Sequence, residues 1–251
     1  MEPSLATIDP PTILAGIAVC FAAAILGSVS GMGAGMIVTL FITPIIGAKA
    51  VIPVISVLML INNASRVWVY RDGLQFTHVV PIAGVAVPMA AVGALVYIRL
   101  EGAIVQILLG MVLIASVPVR RWIEGQKIRP STTQVVAVSG VFGFLSSVIV
   151  GAGMLVVPML MGLGLAGPAL LATDGMIAVL VNVAKVILFG SLDALSFQLF
   201  LLAVAMGLCT IPGTWAGAWM VRRSSVTIHT VFIEILIAGG GASLIWGAIY
   251  A

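Results

Sequence analysis

Apolar residues occupy most of the chain, and short polar stretches divide them into eight long segments. Each segment holds enough consecutive apolar residues for a helix that crosses a bilayer, which needs about 20. The pattern predicts two consecutive series of four segments, separated by a polar stretch from Arg120 to Arg129. The segments cover residues 12–45, 50–70, 77–98 and 101–120 in the first series, and residues 134–165, 168–190, 195–221 and 227–250 in the second.

Glycine interrupts the first segment of each series. Residues Gly31–Met36 read Gly-Met-Gly-Ala-Gly-Met, and residues Val150–Met154 read Val-Gly-Ala-Gly-Met. Glycine weakens a helix, and lipid tolerates a broken backbone only where protein or water satisfies the freed N–H and C=O groups. A matched pair of interruptions in two halves marks the binding site of a secondary transporter.

The two series also match each other beyond the glycines. Three matches occur in the same order in both halves, and together they indicate an internal duplication. They pair Gly33–Met36 with Gly151–Met154, Asn63 and Arg66 with Asn182 and Lys185, and Pro88 and Gly93 with Pro212 and Gly217. We therefore predict two membrane repeats, residues 12–121 and 134–250, joined by a cytoplasmic loop over residues 122–133.

The composition places the chain in the membrane. Hydrophobic residues make up 62% of it and charged residues 8%, whereas a soluble domain carries about 25% charged residues. The net charge of +3 is small, and we ascribe it to loops biased by topology rather than to a nucleic-acid partner. Residues 1–11 contain Glu2 and Asp9 but no Lys or Arg, so we expect no cleaved secretory signal, which needs a basic start.

The placement of charges predicts how the segments cross the membrane. The positive-inside rule puts Arg120–Arg129 in the cytoplasm. If each broken segment enters and leaves on one side, as a hairpin does, Arg71 and Arg222–Arg223 also become cytoplasmic; a single crossing would put the arginine pair outside. Three full crossings then remain per half, so the halves have opposite orientations. The predicted fold is an all-α polytopic membrane protein with two inverted-topology repeats, each a glycine-broken helical hairpin plus three transmembrane helices.

The glycine breaks are the first candidate site. Two half-helices that meet at a break can direct N–H groups at an anion, and each helix N-terminus behaves as about half a positive charge. Serine hydroxyls precede both breaks and add donors, although close helix packing is an alternative role for such small residues. The candidate substrate-binding residues here are Ser30, Gly31, Gly33, Gly35, Ser147, Gly151 and Gly153.

An Asn-x-x-basic pattern on the second segment of each series is the next candidate. Asn63 and Arg66 share a helical face, as do Asn182 and Lys185, because residues three apart are neighbours on a helix. A charge inside a membrane segment costs at least about 2.5–3.5 kcal/mol at mid-depth, so it usually has a function. Alternatively, the long cationic side chains snorkel to the headgroups, an interpretation that we favour for Arg66 and weigh equally with binding for Lys185.

Asp174 is the acidic residue that lies clearly inside a predicted segment. It falls on one broad helical face with Asn182 and Lys185. It is a candidate for a coupling proton; alternatively, it lies in the first turns of its helix and complements the helix dipole. Cys20 and Cys209 are expected to act as small hydrophobes. No His or Cys spacing suits a metal, so we expect no metal and no cofactor.

At these residues the chain resembles the TauE/SafE family of sulfite and organosulfonate permeases. The second half carries the resemblance best, through Gly151-x-Gly153, Val157–Leu160, Ala169, Thr173, Gly190 and Asp193, and the first half adds Gly33-x-Gly35, Pro44 and Gly73. Two features depart from the family pattern: Gly-Ala-Gly replaces three glycines, and Asp174 replaces a small hydroxyl residue. The resemblance implies a carrier of small sulfur oxyanions or carboxylated organosulfur compounds in the bacterial inner membrane.

The sequence thus favours a secondary permease that binds a small anion near mid-membrane, between the two broken hairpins. A proton or a sodium ion is the expected coupling ion. An anion channel with a continuous polar pore and an accessory subunit of a larger complex stay open as alternatives. An enzyme is disfavoured, because mid-depth segments hold no cluster of His, Cys or acidic residues for acid–base or metal chemistry. The direction of transport and the oligomeric state are left open.

Overall fold

Helices form the described parts of all eight predicted segments. In a computed structural model, which describes residues 10–30, 34–124, 130–221 and 239–248, the described residues contain helices and no strand. The helices are α1 (Pro10–Ser30), α2 (Ala34–Ile46), α3 (Ala48–Tyr70), α4 (Phe76–Tyr97), α5 (Gly102–Glu124), α6 (Thr132–Val148), α7 (Gly153–Gly162), α8 (Gly167–Ser191) and α9 (Phe197–Val221). Residues 239–248 form a further helical segment, and a short 3₁₀ turn, Arg71–Gly73, follows α3.

The two glycine-broken segments become the helix pairs α1–α2 and α6–α7. In the second pair, α6 ends at Val148, and Ile149 has an extended backbone with φ −136° and ψ 160°. The chain re-enters a helix at Gly153, as the glycine pattern predicts. Helix α1 ends at Ser30 and α2 begins at Ala34, and the predicted first break, with its glycines at 31 and 33, lies outside the described residues.

Helix starts follow local sequence signals. Ser131 and Gln134 form a capping box before α6: the Ser131 Oγ atom accepts from the Gln134 N–H at 3.4 Å, and the Ser131 N–H donates to Gln134 Oε1 at 2.8 Å. Helix α8 begins with Gly167-Pro168, where proline costs no hydrogen bond because the first N–H groups of a helix have no partner within it.

Four helices of the described residues are long and apolar enough to cross a membrane. They are Ala48–Gly73, Phe76–Tyr97, Gly167–Ser191 and Phe197–Trp219, that is, α3 with its 3₁₀ turn, α4, α8 and most of α9. The apolar part of α5, Gly102–Ser116, is shorter. The chain is therefore a multi-pass helical membrane protein, and the third full crossing of each half stays a prediction.

The packing of the helices repeats between the halves. Helices α3 and α8 pack against each other, α4 packs on α6 and α8, and α1 and α3 pack on α9. When α1, α3 and α4 are exchanged with α6, α8 and α9, respectively, the α3–α8 contact maps onto itself. The α4–α6 contact then maps onto α1–α9, and the α4–α8 contact maps onto α3–α9. This exchange agrees with a duplication, while the opposite orientation of the halves stays a prediction.

Very close backbone approach holds α4 against α6. A Cβ atom on Gly143 would lie 2.1 Å from the Ala86 carbonyl oxygen, and one on Gly93 would lie 2.3 Å from that of Phe144. Small residues allow helices in membranes to approach in this way. The contact fixes the helix that leads into the second break.

Candidate anion site

One cavity of about 150 Å³ lies where the start of α2 and the second glycine break meet the middle of α3 and α8. Its walls come from the start of α2, the end of α6, the second break, the start of α7, and from α3, α8 and α9. The structure therefore brings together residues that are more than a hundred positions apart in sequence. The predicted site residues that line the cavity are Gly35, Asn63, Arg66, Gly151, Gly153, Asp174, Asn182 and Lys185.

The start of α2 contacts the second break at this cavity. A Cβ atom on Gly35 would lie 3.3 Å from Val150 Cγ1, and one on Gly151 would lie 1.9 Å from Met36 Cε. Gly151 also has a φ of +96°, which side-chain-bearing residues rarely adopt. The first residues of α2 and α7 line the cavity, so the partial positive charges of two helix N-termini lie at its wall. In α7, the Met154 and Leu155 N–H groups donate to the Gly151 and Ala152 carbonyls at 3.1 and 3.0 Å.

Arg66 and Asp174 form an ion pair inside the cavity. The Arg66 Nη2 atom donates to Asp174 Oδ2, and this contact joins α3 to α8. Only 6% of the Arg66 surface is exposed, so the expectation that Arg66 snorkels to the headgroups is wrong. Asp174 lies two turns into α8, which begins at Gly167, and therefore lies beyond the first turn in which a helix dipole acts.

Lys185 binds the end of the first helix of the second broken pair. Its Nζ atom donates to the Ser146 carbonyl oxygen at 2.7 Å and to Asn182 Oδ1 at 3.2 Å. Ser146 belongs to the last turn of α6, whose carbonyls lack partners within the helix. With 5% of its surface exposed, Lys185 does not snorkel either. Its Nζ atom thus satisfies a carbonyl at the C-terminus of α6, and the residue lines the cavity.

The asparagines contribute amides in two different ways. Asn62 Oδ1 accepts a hydrogen bond from Thr214 Oγ1 at 3.0 Å, which ties α3 to α9. Asn63 lines the cavity with 7% of its surface exposed. Among the described residues, no hydrogen bond involves the side-chain amide of Asn63, so its donors and acceptor are available at the cavity.

Of the four remaining candidates drawn from the sequence, one lies away from this wall, and the other three fall on residues or side chains that the structure does not describe. Ser147 is buried, and its hydroxyl donates to the Ala90 carbonyl oxygen at 2.8 Å, away from the cavity. Gly31 and Gly33 lie outside the described residues, and Ser30 ends α1 without a described side chain. Ser146, the other serine before the second break, lines the cavity, as do Asn62 and Thr214, which sequence reasoning overlooked.

A multi-pass helical protein in which two interrupted helices and buried cations meet at one internal cavity has the architecture of a membrane transport protein. A family model described as "Sulfite exporter TauE/SafE" matches residues 16–243. The chain therefore belongs to the TauE/SafE sulfite exporter family, which confirms the resemblance found in the sequence. No curated protein and no solved structure matches the chain.

Proposed function

We propose that the protein is a secondary permease for small anions of the bacterial inner membrane, and that sulfite is the first substrate to test. Other small sulfur oxyanions, organosulfonates and carboxylate anions are candidates of the same chemistry. The name of the family supports sulfite, and the cavity supports an anion. The proposed repeats are residues 12–121 and 134–250 in opposite orientations, joined by the loop at 122–133.

The observation that carries this proposal is the convergence of Lys185, Arg66 and the Asn63 amide with two helix N-termini in one cavity. Two basic side chains face one carboxylate, so the balance of charge favours an anion. Charge-assisted hydrogen bonds from such donors to an oxyanion are roughly twice as strong as neutral ones. The cavity volume of about 150 Å³ exceeds the roughly 30 Å³ that one water occupies, which leaves room for a small oxyanion.

Within this proposal, Asp174 is the candidate coupling carboxylate. Replacing it with Asn would mimic the protonated side chain and remove the ability to release a proton. The Asp174→Asn variant should then still exchange labelled sulfite across liposomes, while accumulation driven by a pH gradient should be lost. Normal accumulation by this variant would exclude Asp174 as the coupling site and leave a sodium gradient as the next to test.

The experiment that tests the function is counterflow of labelled sulfite in liposomes that contain the purified protein. A carrier should show saturable uptake that unlabelled sulfite inside the vesicles accelerates. A channel would give flux that rises linearly and shows no counterflow. Flux equal to that of protein-free liposomes, for sulfite and for the other candidate anions, would contradict the proposal and favour an accessory subunit.

A further inference from the structure

The Arg66–Asp174 ion pair lies at the wall of the cavity, where a substrate can reach it. Both residues line the cavity, and their side chains are 8% and 10% exposed. We propose that Asp174 is an internal counter-ion, which occupies Arg66 in the empty cavity and releases it to the incoming anion. This inference rests on the proposed anion permease and adds a residue that determines which anions bind.

The chemistry of the pair supports such an exchange. A carboxylate is itself a small oxyanion, and it binds Arg66 through the donors that a sulfur oxyanion would use. The guanidinium group presents a planar fork that matches two oxygens of one anion. An anion with two or more oxygens can therefore replace the carboxylate, whereas chloride, a single atom, cannot match the fork.

Lys185 supplies the attraction that precedes this exchange. Its two hydrogen bonds go to the Ser146 carbonyl and to the Asn182 amide oxygen, which are both uncharged. Arg66, in contrast, is bound to a carboxylate. The cavity wall thus holds one basic group with neutral acceptors and one with a carboxylate. An anion drawn in by Lys185 enters the cavity whose wall also holds the ion pair.

Removal of the competing carboxylate should tighten anion binding. If Arg66 is released from Asp174 in at most one molecule in ten, apparent affinity for sulfite is reduced at least about tenfold. The Asp174→Asn variant should therefore bind sulfite about tenfold more tightly than the wild type. It should also bind chloride measurably, because no carboxylate has to be displaced.

The test is calorimetric titration of the purified full-length protein with sulfite and with chloride, at fixed pH and without a gradient. Asp193→Asn is the matched control, since it removes one carboxylate from an exposed position after the same helix and should leave both affinities unchanged. The double variant Arg66→Gln, Asp174→Asn should lose the gain, because the gain acts through Arg66.

A folded Asp174→Asn variant with unchanged or weaker sulfite binding would overturn the inference. Infrared difference spectra of the wild type give a second readout that does not depend on folding of the variant: sulfite should shift a carboxylate band. Sulfite binding without such a shift would contradict the inference and leave the proposed function intact. A wild-type protein that binds neither sulfite nor the other candidate anions would contradict both.

Discussion

Lys185 is the residue on which anion binding should depend most directly. It is buried at the cavity, and its hydrogen bonds go to uncharged acceptors. A hydrogen bond to a charged group contributes about 1.5–3 kcal/mol, and 1.4 kcal/mol is a tenfold change in affinity. We expect Lys185→Met to weaken sulfite binding about 10- to 100-fold, measured by calorimetric titration.

Lys49→Met is the matched control for this change. Lys49 lies at the start of α3 with an exposed side chain, and its backbone carbonyl accepts from the Tyr97 hydroxyl at 3.1 Å. Its replacement should leave sulfite affinity unchanged. Equal affinities for the Lys185 variant and the wild type would contradict the assignment of Lys185.

Gly153 tests whether the second break serves the substrate or only the packing. A Cβ atom there would meet no atom within 4 Å, and the residue lines the cavity. A leucine at this position should fill the space meant for the anion without a clash. We expect Gly153→Leu to abolish sulfite uptake in liposomes and to shift the unfolding temperature by only a few degrees.

Gly84→Leu serves as the control, because Gly84 is exposed on α4 and also has no neighbour within 4 Å of a Cβ atom. It should transport normally. Normal uptake by Gly153→Leu would show that the break contributes packing alone.

The chemistry of the site could be predicted from the sequence at some residues and not at others. The Asn-x-x-basic pairs and the glycines could be found because they are rare polar or small positions in apolar segments. The choice between Ser146 and Ser147 could not, since one residue turns a helix by about 100° and only the packing of α6 on α4 decides which of the two faces the cavity. The Arg66–Asp174 ion pair could not be predicted either, because its two residues are 108 positions apart in the sequence.

At the scale of elements, the close packing of α4 on α6 should control the stability of the second break. A methyl group on Gly143 would meet the Ala86 backbone at 2.1 Å, so the helices would have to separate. Overpacking of this kind costs about 1–3 kcal/mol. We expect Gly143→Ala to lower the unfolding temperature and to reduce transport, because a shift of α6 moves the Ser146 carbonyl that Lys185 binds.

Gly140→Ala on the same helix is the control. Its Cβ atom would make an ordinary contact with Val85 Cγ1 at 3.6 Å. Thermal unfolding of both variants in lipid nanodiscs measures the difference. An equal effect of the two substitutions would show that this close approach does not determine stability.

Most helix boundaries could be predicted from the sequence, but which helices pack against each other could not. Breaks, prolines and capping residues are local signals, so the predicted and observed helix ends agree within a few residues along most of the chain. Helices that are apolar on every side carry no stripe that shows which face is buried. The pairing of α1 with α9 and of α4 with α6, each between the two halves, therefore emerged only from the structure.

At the scale of the whole molecule, the ends of α3 and α9 should lie at the cytoplasmic surface. Exposed Trp68 and Trp219 line one groove there, and the Arg71 guanidinium lies 4.7 Å from the centre of the Trp68 ring. Tryptophan is enriched where a membrane meets water. Since α9 leads directly into Arg222–Arg223, this arrangement supports placing these basic residues on the same side as Arg71.

We expect both termini in the periplasm, and Arg71, Arg120–Arg129 and Arg222–Arg223 in the cytoplasm. In intact cells, an impermeant thiol reagent should label Glu101→Cys and Asp193→Cys, but not Asp72→Cys or Ser224→Cys. Labelling of the last variant from outside would contradict the hairpin and, with it, the inverted repeat.

The central claim is that the anion binds between the two glycine breaks, at the cavity lined by Lys185 and Asn63. Its most direct test is a crystal structure of the wild-type protein with selenite, the selenium analogue of sulfite, with data recorded at the selenium absorption edge. We expect an anomalous peak inside the cavity, within hydrogen-bonding distance of Lys185. A selenium site elsewhere in the protein, with this cavity free of selenium, would contradict it.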